Sequence, residues 1–445
     1  MNLHYLAILV AILSLGPGAL YLLRRGRDPF APPIFIGGCA FVIADQKLLM
    51  NPQPALSYLP ASFYREYLWI IFLSLASLYA GWYWWKRRHR SAILIPSQLK
   101  VPAQSGWLAG YRREFRPERV LAVGLGFAFL AFISLVITHG HKYATGYVRD
   151  LTFLSVPAVV LLIQAMMLDT SYALPATFGI ALALSRYVFR FFSYGGRGDT
   201  ARTATLLLVP YLFRGTRPRK LPLVILAVSL AIGLIALAKS RKILSQGEAP
   251  NRIEAVAAAV KQMFNGEHHK YGSGREFVVG AAQVATVQKL HNWDYGRFVW
   301  NVLATFPPHE FFPNKIQWQT TWGEGPQGYL NTIRNATGLP FLKGAAPTGF
   351  ADALVEFGWL FPVFWFLLGY WLHHVFAGAV YEKRLNYQGY LAILFVVLLY
   401  LVAQGFYPAS FNFLFSVIPA MIAYRWCRVV RQPAGARERF SKVAT

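Results

Sequence analysis

The sequence predicts an all-α polytopic membrane protein with about eleven transmembrane helices and one large extracytoplasmic loop of helical and irregular structure. Three observations support this class. Hydrophobic residues make up 56% of the 445 positions and aromatic residues 16%, and the mean hydropathy is +0.38. Apolar runs of about 20 residues, long enough to cross the hydrocarbon core, recur along the chain. One long polar stretch, residues 239–347, interrupts them. Within it, residues 252–265 are predicted to form an amphipathic helix and residues 277–291 a second helix, and residues 292–347 are predicted to be irregular.

Each apolar run is a candidate span. The runs are residues 3–23, 29–46, 67–85, 120–138, 150–168, 172–192, 203–213, 221–238, 349–376, 388–404 and 411–427. The second is weak because Asp45 and Lys47 lie at its end, and the seventh is short and contains Pro210. The prediction is therefore about ten to twelve spans. About eight lie in residues 1–238 and three in residues 348–427, and residues 428–445 form a basic tail.

The distribution of charge predicts the orientation. A formal net charge of +25 is typical of a nucleic-acid-binding protein, but here the basic residues cluster next to spans on one predicted face. They include Arg24, Arg25, Arg27, Lys86, Arg87, Arg88, Arg90, Arg112, Arg113, Arg116, Arg119, Arg214, Arg217, Arg219, Lys220, Arg425, Arg428 and Arg431. Basic loops remain cytoplasmic, so this pattern predicts a cytoplasmic loop at residues 86–119 and a cytoplasmic C-terminus. The N-terminus and residues 239–347 are then outside, and nucleic acid is not an expected partner.

Arginines in and after the sixth span are candidate ligands for a diphosphate. Arg186 and Arg190 are four residues apart, so they project from one face of a helix. Arg197 lies in the glycine-rich segment that follows, and Arg202 opens the next apolar run; both are expected at the same outer surface. The alternative is that Arg186 and Arg190 extend to the outer headgroups of the bilayer.

The large loop also carries cations and aromatic rings. Residues 239–347 contain 12 Lys and Arg against 7 Asp and Glu, which suits an anionic substrate such as a lipid diphosphate. The predicted diphosphate ligands here are Arg297, Lys315 and Arg334. Aromatic residues interleaved with them are predicted to stack on sugar rings, with membrane-interface anchoring as the alternative. They are Trp293, Trp300, Trp318, Trp322 and Tyr329.

Four residues are candidates for acid–base chemistry. His309 and Glu310 lie between prolines in the loop, where they orient a proton acceptor or only shape the turn. Asp352 and Glu356 are four residues apart, so both carboxylates share one face at the outer end of the ninth span. The alternative for this second pair is that it binds nearby arginines and holds helices together.

No metal or nucleotide cofactor is predicted. The adjacent pairs His268–His269 and His373–His374 do not point the same way on a helix, and no carboxylate recurs at a ligand spacing. Phosphate-binding glycine loops and nucleophile elbows are also missing from the sequence. An enzyme on the outer face has no nucleotide sugar to use, so its activated donor would be attached to a lipid.

Three segments resemble the Wzy-type polymerases of O-antigen and other oligosaccharide repeat units in bacterial envelopes. They are GGRGDTARTATLLLV at residues 195–209, FPPHEFFPNK at residues 306–315 and PTGFADALVEFG at residues 347–358. The length, the span count and the position of the largest loop before the last spans are also similar. The resemblance covers residues 120–420 in layout. It departs from the family at His309, where the family often has arginine.

The resemblance implies a glycosyltransferase of the bacterial inner membrane that needs neither metal nor nucleotide. Such an enzyme moves a growing glycan from an undecaprenyl diphosphate carrier onto a newly arrived lipid-linked repeat unit. Arg197 and Lys315 match basic positions of the family segments. Lipid-linked repeat units, membrane lipids and a chain-length regulator are the implied partners.

Two other functions remain open from sequence. An O-antigen ligase, or another glycosyltransferase with a lipid-linked donor, would have a similar external loop. Donors of the phosphosugar type usually require an acidic motif in the first external loop, and that loop offers only Asp45 and Glu66 at its edges. A polysaccharide flippase or transporter would place charged residues in the middle of several spans, and only Arg186 is clearly so placed.

Overall fold

Long apolar helices make up most of the described structure. A computed structural model describes residues 3–23, 31–42, 58–88, 114–138, 151–194, 202, 206, 236, 240, 243–244, 247–248, 250–264, 275–296, 325–339 and 347–428. Within these ranges there is no β-strand, and the one β-bridge joins Phe115 to Arg428. The protein is therefore an all-α, multi-pass membrane protein over the part that is described, as predicted.

Fourteen α-helices are described, and short 3₁₀ or π turns join some of them. The helices are α1 Leu3–Leu23, α2 Pro32–Ala40, α3 Ala61–Arg88, α4 Pro117–Ile137, α5 Ser155–Leu168, α6 Ala173–Tyr194, α7 Arg252–Phe264, α8 Arg275–Leu290, α9 Gly325–Thr337, α10 Gly349–Phe357, α11 Phe361–Phe376, α12 Leu385–Gln404, α13 Phe406–Asn412 and α14 Ile418–Cys427. The turns are Leu151–Leu154, Thr170–Tyr172, Gly358–Leu360, Ala377–Tyr381 and Phe413–Val417.

Among the described residues, eight helical segments are long and apolar enough to cross a membrane. They are Leu3–Leu20, Ala61–Arg88, Pro117–Ile137, Leu151–Leu168, Thr170–Arg190, Gly349–Tyr381, Leu385–Gln404 and Phe406–Cys427. Each coincides with one of the predicted spans. Of the other three, residues 29–46 include the short helix α2, and residues 203–213 and 221–238 lie outside the described residues except for Leu206 and Ala236.

Glycines mark two helix breaks, one within a segment and one between two segments. The ninth predicted span, residues 349–376, is not one continuous helix but α10 followed by α11, with Gly358 at φ 55° between them. Gly405, at φ 85°, separates α12 from α13 in the same way. Both glycines adopt a left-handed backbone that strongly disfavours other residues, so the local sequence ends each helix there.

Helices α3 and α11 approach each other more closely than any side chain would allow. A Cβ atom on Gly81 would lie 2.0 Å from the carbonyl oxygen of Phe366, and one on Gly369 would lie 2.1 Å from that of Leu78. Near the far ends of both helices, Trp85 stacks on His373, so the two helices run parallel. Small residues at a contact are the usual way for helices to pack closely within a membrane.

The end of the bundle where α3, α11 and α14 finish is called the basic end. Exposed or partly exposed cations collect there. They include Lys86, Arg87, Arg88, Arg116, Arg119, Arg425 and Arg428. The contacts that join the helix ends here include Trp85 with His373, Gln164 with Leu385 and with Tyr424, and Arg116 with Cys427.

The opposite end, called the loop end, receives helix α8 from the large loop. The residues from Phe277 to Val287 are all buried, and α8 packs against α3, α9 and α10. Tyr67 of α3 lies over Gly280, where a Cβ would approach the ring to 2.3 Å. Part of the polar stretch is therefore built into the helix bundle.

Two other loop helices refine the sequence prediction. Helix α7 confirms the helix expected at residues 252–265, but its buried face is formed by Ala255 and Ala259, while Ile253 is 68% exposed. Helix α9 lies within residues 292–347, which were predicted to be irregular, so that prediction was wrong for residues 325–337. Glycine and asparagine dilute its apolar pattern, in which Ile333 is the buried residue.

Candidate functional site

A buried aspartate joins three helices at the loop end. Asp352 lies in the first turn of α10, and its Oδ1 accepts a hydrogen bond from Gln283 Nε2 of α8 at 2.5 Å. Its Oδ2 accepts from the backbone N–H of Phe406, the first residue of α13, at 2.8 Å. Both carboxylate oxygens therefore bind donors from elements distant in sequence. Ionised carboxylates form the stronger class of hydrogen bond, so this contact holds α8, α10 and α13 together.

The same polar cluster extends to α3. Gln283 Oε1 accepts a hydrogen bond from the backbone N–H of Thr348, which precedes α10, at 3.4 Å. The Thr348 hydroxyl in turn hydrogen-bonds the Tyr67 hydroxyl. Gln283, Thr348 and Tyr67 are completely buried. We call Asp352, Gln283, Thr348, Tyr67 and the Phe406 N–H the aspartate cluster.

The geometry of the aspartate cluster depends on Gly405. A Cβ atom at this position would lie 2.0 Å from Asp352 Oδ2, so no other residue fits beside the carboxylate. The left-handed backbone of Gly405 also turns the chain so that the Phe406 N–H points at Asp352. Gly405 therefore has two roles: it ends α12, and it leaves room for the Asp352 carboxylate beside the Phe406 N–H.

A buried arginine forms the second cluster. Arg202 is 5% exposed, so its side chain is buried inside the bundle. Its Nη1 donates to the Tyr187 hydroxyl of α6 at 3.0 Å, and its Nη2 donates to Asn412 Oδ1 of α13 at 3.1 Å. Asn412 is oriented by its own amide, which donates to the Pro408 carbonyl at 2.7 Å. Arg202 therefore connects α6 with α13.

Aromatic rings surround this guanidinium. Its central carbon lies 4.6 Å from the ring centroid of Tyr400, 5.2 Å from Tyr187 and 5.5 Å from Phe153. The negative faces of the rings attract the cation, and the attraction is strongest where water is excluded. We call Arg202, Tyr187, Asn412, Tyr400 and Phe153 the arginine cluster.

The hydroxyl of Tyr187 has a defined donor direction. Ser155 Oγ donates to the Thr152 carbonyl at 2.6 Å and also contacts the Tyr187 hydroxyl. Since the single Ser155 proton is already used and Arg202 donates to the Tyr187 oxygen, Tyr187 donates its proton to Ser155 Oγ. This chain fixes Arg202 to the start of α5 as well as to α6 and α13.

Both clusters contain a residue of helix α13. Tyr400 is near the end of α12, Phe406 begins α13, and Asn412 ends α13. The aspartate cluster binds α13 at its first residue and the arginine cluster binds it at its last. Both clusters therefore lie at the loop end, near the break at Gly405.

The two arginines of α6 belong to the same region. Arg186 and Tyr187 are neighbours, and Arg190 is one turn further along the helix. Arg186 is 7% exposed, whereas Arg190 is half-buried. Arg186 is therefore a buried cation on α6. Arg202 binds Tyr187, the next residue of the same helix.

The second carboxylate of α10, Glu356, is also buried and lies beside the segment that follows α8. The N–H groups of Asp294 and Gly296 donate to the carbonyl oxygens of Val355 and Glu356 at 2.9 and 3.1 Å. These bonds satisfy two carbonyls at the end of α10, where no helical partner follows. Asp294 is itself buried, so this junction of the loop with α10 contains two buried acidic residues.

Of the predicted sugar-stacking residues, Trp293 is half-buried and lies at the break after α10. Its ring is 3.5 Å from the position a Cβ on Gly358 would take, and it contacts Trp359 edge-on at 6.5 Å between centroids. Arg334 is exposed on α9, and Tyr329 lies on α9 without a described side chain. The other predicted site residues lie outside the described residues: Arg197, Arg297, Trp300, His309, Glu310, Lys315, Trp318 and Trp322.

Neutral polar residues of the two clusters were missed by the sequence analysis. Gln283, Asn412 and Tyr187 lie in strongly apolar runs, and polar residues in such runs are costly unless they are paired. That cost was the signal available in the sequence. It does not identify the partner, because Gln283 and Asp352 are 69 residues apart and Arg202 and Asn412 are 210 apart.

The described residues include no group of three or more His, Cys, Asp and Glu side chains that could hold a metal ion. His373, one of the histidines of the adjacent pairs, is buried between the rings of Trp82 and Trp85 at the basic end. No protein-family model, no curated protein and no solved structure matches this chain. Function is therefore inferred from the chemistry of the residues themselves.

Proposed function

We propose that the chain is a polymerase of lipid-linked oligosaccharide repeat units at the outer face of a bacterial inner membrane. The burial of the Arg186 side chain at the loop end carries this proposal. A guanidinium inside a membrane bundle is expensive, always charged and shaped for two parallel hydrogen bonds to phosphate oxygens. An anionic lipid headgroup, such as the diphosphate of a polyprenyl carrier, is the ligand that this chemistry suits.

The proposed orientation follows from the basic end. Cations near the ends of α3 and α14 and the start of α4 favour a cytoplasmic basic end, an outside N-terminus and an outside loop end. With the two predicted spans in residues 203–238 and the weak span around α2, the proposal is about eleven spans. Lipid-linked repeat units delivered to the outer leaflet would then reach the loop end directly.

In the proposed reaction, the bond between the anomeric carbon of the growing glycan and its carrier diphosphate breaks. A hydroxyl oxygen of the incoming lipid-linked repeat bonds to that carbon, and the diphosphate leaves with the electron pair. Arg186 and Arg190, with Arg197 and the loop cations, stabilise the charge that develops on the leaving group. Arg202, whose guanidinium already binds Tyr187 and Asn412, holds α6 in place.

A proton acceptor completes the reaction by taking the proton of the attacking hydroxyl. Both oxygens of Asp352 already accept hydrogen bonds, which favours a positioning role for this residue. Glu356, His309 and Glu310 are the proposed acceptors. The aromatic residues predicted to bind sugar, Trp293, Trp300, Trp318, Trp322 and Tyr329, would hold the glycan beside them.

The test is a reaction with purified protein in lipid nanodiscs and a synthetic undecaprenyl diphosphate-linked repeat unit. A ladder of longer lipid-linked glycans, formed with chelator present and without nucleotide, is the expected result. Transfer only to a lipid-anchored core oligosaccharide would make the protein a ligase. Movement of the lipid across the bilayer without any new glycosidic bond would make it a flippase, and either outcome overturns the proposal.

The diphosphate role is tested by Arg186→Ala. Loss of one charged donor to a leaving group is expected to lower kcat/KM by about 10²-fold, with Arg186→Lys intermediate. Arg65→Ala is the matched control, since Arg65 is an exposed arginine near the start of α3 at the same end of the bundle. Equal activity of the Arg186→Ala and Arg65→Ala proteins would contradict a role for Arg186 at the diphosphate.

A further inference from the structure

The hydrogen bonds of Asp352 join the large loop to the helix that holds the arginine cluster. One carboxylate oxygen binds Gln283 of α8, and the other binds the first N–H of α13. Asn412, which accepts from Arg202, is the last residue of α13. A short helix moves as a unit, so a shift of its first residue is transmitted to Asn412.

The connection on the loop side is also rigid. Gln283 uses both ends of its side-chain amide, donating to Asp352 and accepting from the Thr348 N–H at 3.4 Å. The neighbouring residues of α8 are buried, and Gly280 fits against the ring of Tyr67 without space for a side chain. Helix α8 is therefore held in one position relative to α10.

We infer that Asp352 is a positioning residue that couples the place of loop helix α8 to that of Asn412 and the Arg202 guanidinium. This inference rests on the proposed function, because it gives the large loop control over Arg202, which holds α6 and its proposed diphosphate-binding arginines in place. Asp352 acts through two hydrogen bonds and need not exchange a proton. The coupling means that a movement of the loop over a bound glycan alters the arginine cluster, and the reverse.

The test exchanges the two hydrogen-bonding partners. In Asp352→Asn, an N–H₂ donor replaces one of the two accepting oxygens, so it faces another donor, either the Gln283 amide or the Phe406 N–H. In Gln283→Glu, two carboxylates face each other. In the double variant, the new glutamate accepts from the new asparagine and from the Thr348 N–H, while the asparagine oxygen accepts from the Phe406 N–H. The double variant thus restores every described bond of the pair with the same net charge.

Two measurements are made on the four proteins. Hydrogen exchange in nanodiscs reports the protection of α8, and the ladder assay reports kcat and KM. Each single variant is expected to raise the exchange rate of the α8 amides by about 10- to 100-fold and to lower kcat. The double variant is expected to return both to near the original values.

Gln288→Glu is the matched control, because Gln288 is exposed on the same helix and bonds Glu66. In this variant the exchange rate of the α8 amides is expected to change by about twofold or less.

The outcomes separate this inference from the proposed function. Exchange in the double variant that stays as fast as in the single variants overturns the inference, as does unchanged exchange in both single variants. Restored exchange with lost activity shows that the Asp352 carboxylate itself reacts, which also overturns it. If the original protein elongates no lipid-linked glycan, the proposed function fails, and the exchange data alone still decide whether Asp352 fixes α8.

Discussion

At the scale of the residue, the loop end is defined by polar side chains that are buried where apolar residues would be less costly. Arg202, Asp352, Gln283 and Asn412 all lie within helical or apolar segments, and each is hydrogen-bonded to a residue far away in the sequence. A buried polar group that loses its hydrogen-bond partner lowers the free energy of unfolding by about 1–3 kcal/mol or more. Such pairs therefore select one arrangement of helices over others.

Gly405 allows a test at this scale. Gly405→Ala forces a positive φ on alanine and places its Cβ 2.0 Å from Asp352 Oδ2. Gly338→Ala is the matched control, since Gly338 has φ +69° and no atom within 4 Å of the added Cβ. Both changes add backbone strain of about 1–3 kcal/mol. Only Gly405→Ala is expected also to displace the carboxylate and loosen α13.

The measurement is thermal unfolding in detergent together with hydrogen exchange of α13. Gly405→Ala is expected to lower the unfolding midpoint further than Gly338→Ala and to expose the amides that follow Gly405. Equal midpoints in the two variants would mean that the contact between Gly405 and Asp352 adds nothing to stability.

At the scale of the element, hydropathy predicted the helices well and their interruptions poorly. Eight predicted spans coincide with long apolar helices, because about 20 apolar residues in a row have few other stable arrangements. The break at Gly358 and helix α9 were not predicted. A glycine within an apolar run signals equally a break and a close helix contact, as Gly358 and Gly81 show, and only the packing around it distinguishes the two.

The contact between α3 and α11 gives a prediction at the scale of the element. Gly81→Val adds a branched side chain where a Cβ already meets the Phe366 carbonyl at 2.0 Å. Separating two packed helices by this amount is expected to destabilise the protein by about 1–3 kcal/mol or more. Gly126→Val is the control, because Gly126 lies on α4 with no atom within 4 Å of an added Cβ.

Thermal unfolding in the same detergent compares the two valine variants. The Gly81→Val protein is expected to unfold at the lower temperature, and the Gly126→Val protein close to the original. A Gly126→Val protein that is the less stable of the two would show that the loss reflects helix propensity or lipid contact and not the α3–α11 interface.

At the scale of the whole molecule, the two ends of the bundle carry different kinds of residues. One end of the bundle gathers lysines and arginines near the ends of α3 and α14 and the start of α4. The other receives loop helix α8 and contains both buried clusters. Sequence reasoning anticipated this separation because the parity of successive spans fixes which loops share a face.

The proposed orientation is tested by cysteine labelling before and after cell lysis, in a background with Cys39→Ser and Cys427→Ser. Glu248→Cys lies in the large loop, and Arg88→Cys lies at the end of α3; both positions are exposed. A membrane-impermeant maleimide is expected to label Glu248→Cys in intact cells and Arg88→Cys only after lysis. The reverse pattern would put the loop in the cytoplasm and remove the basis of the outer-face polymerase.

The sequence by itself determined the membrane class, most of the spans and the separation of charge between the two ends, since these depend on the composition of local segments. It also made Arg186, Asp352 and Glu356 candidate site residues, because a charge in or beside an apolar run is conspicuous. Only the tertiary structure decided that Arg202 is buried against Tyr187 and Asn412 and that Asp352 binds Gln283 and the Phe406 N–H. These partners meet because glycines bend and crowd the helices at particular positions, and such long-range contacts leave no periodic pattern in the chain.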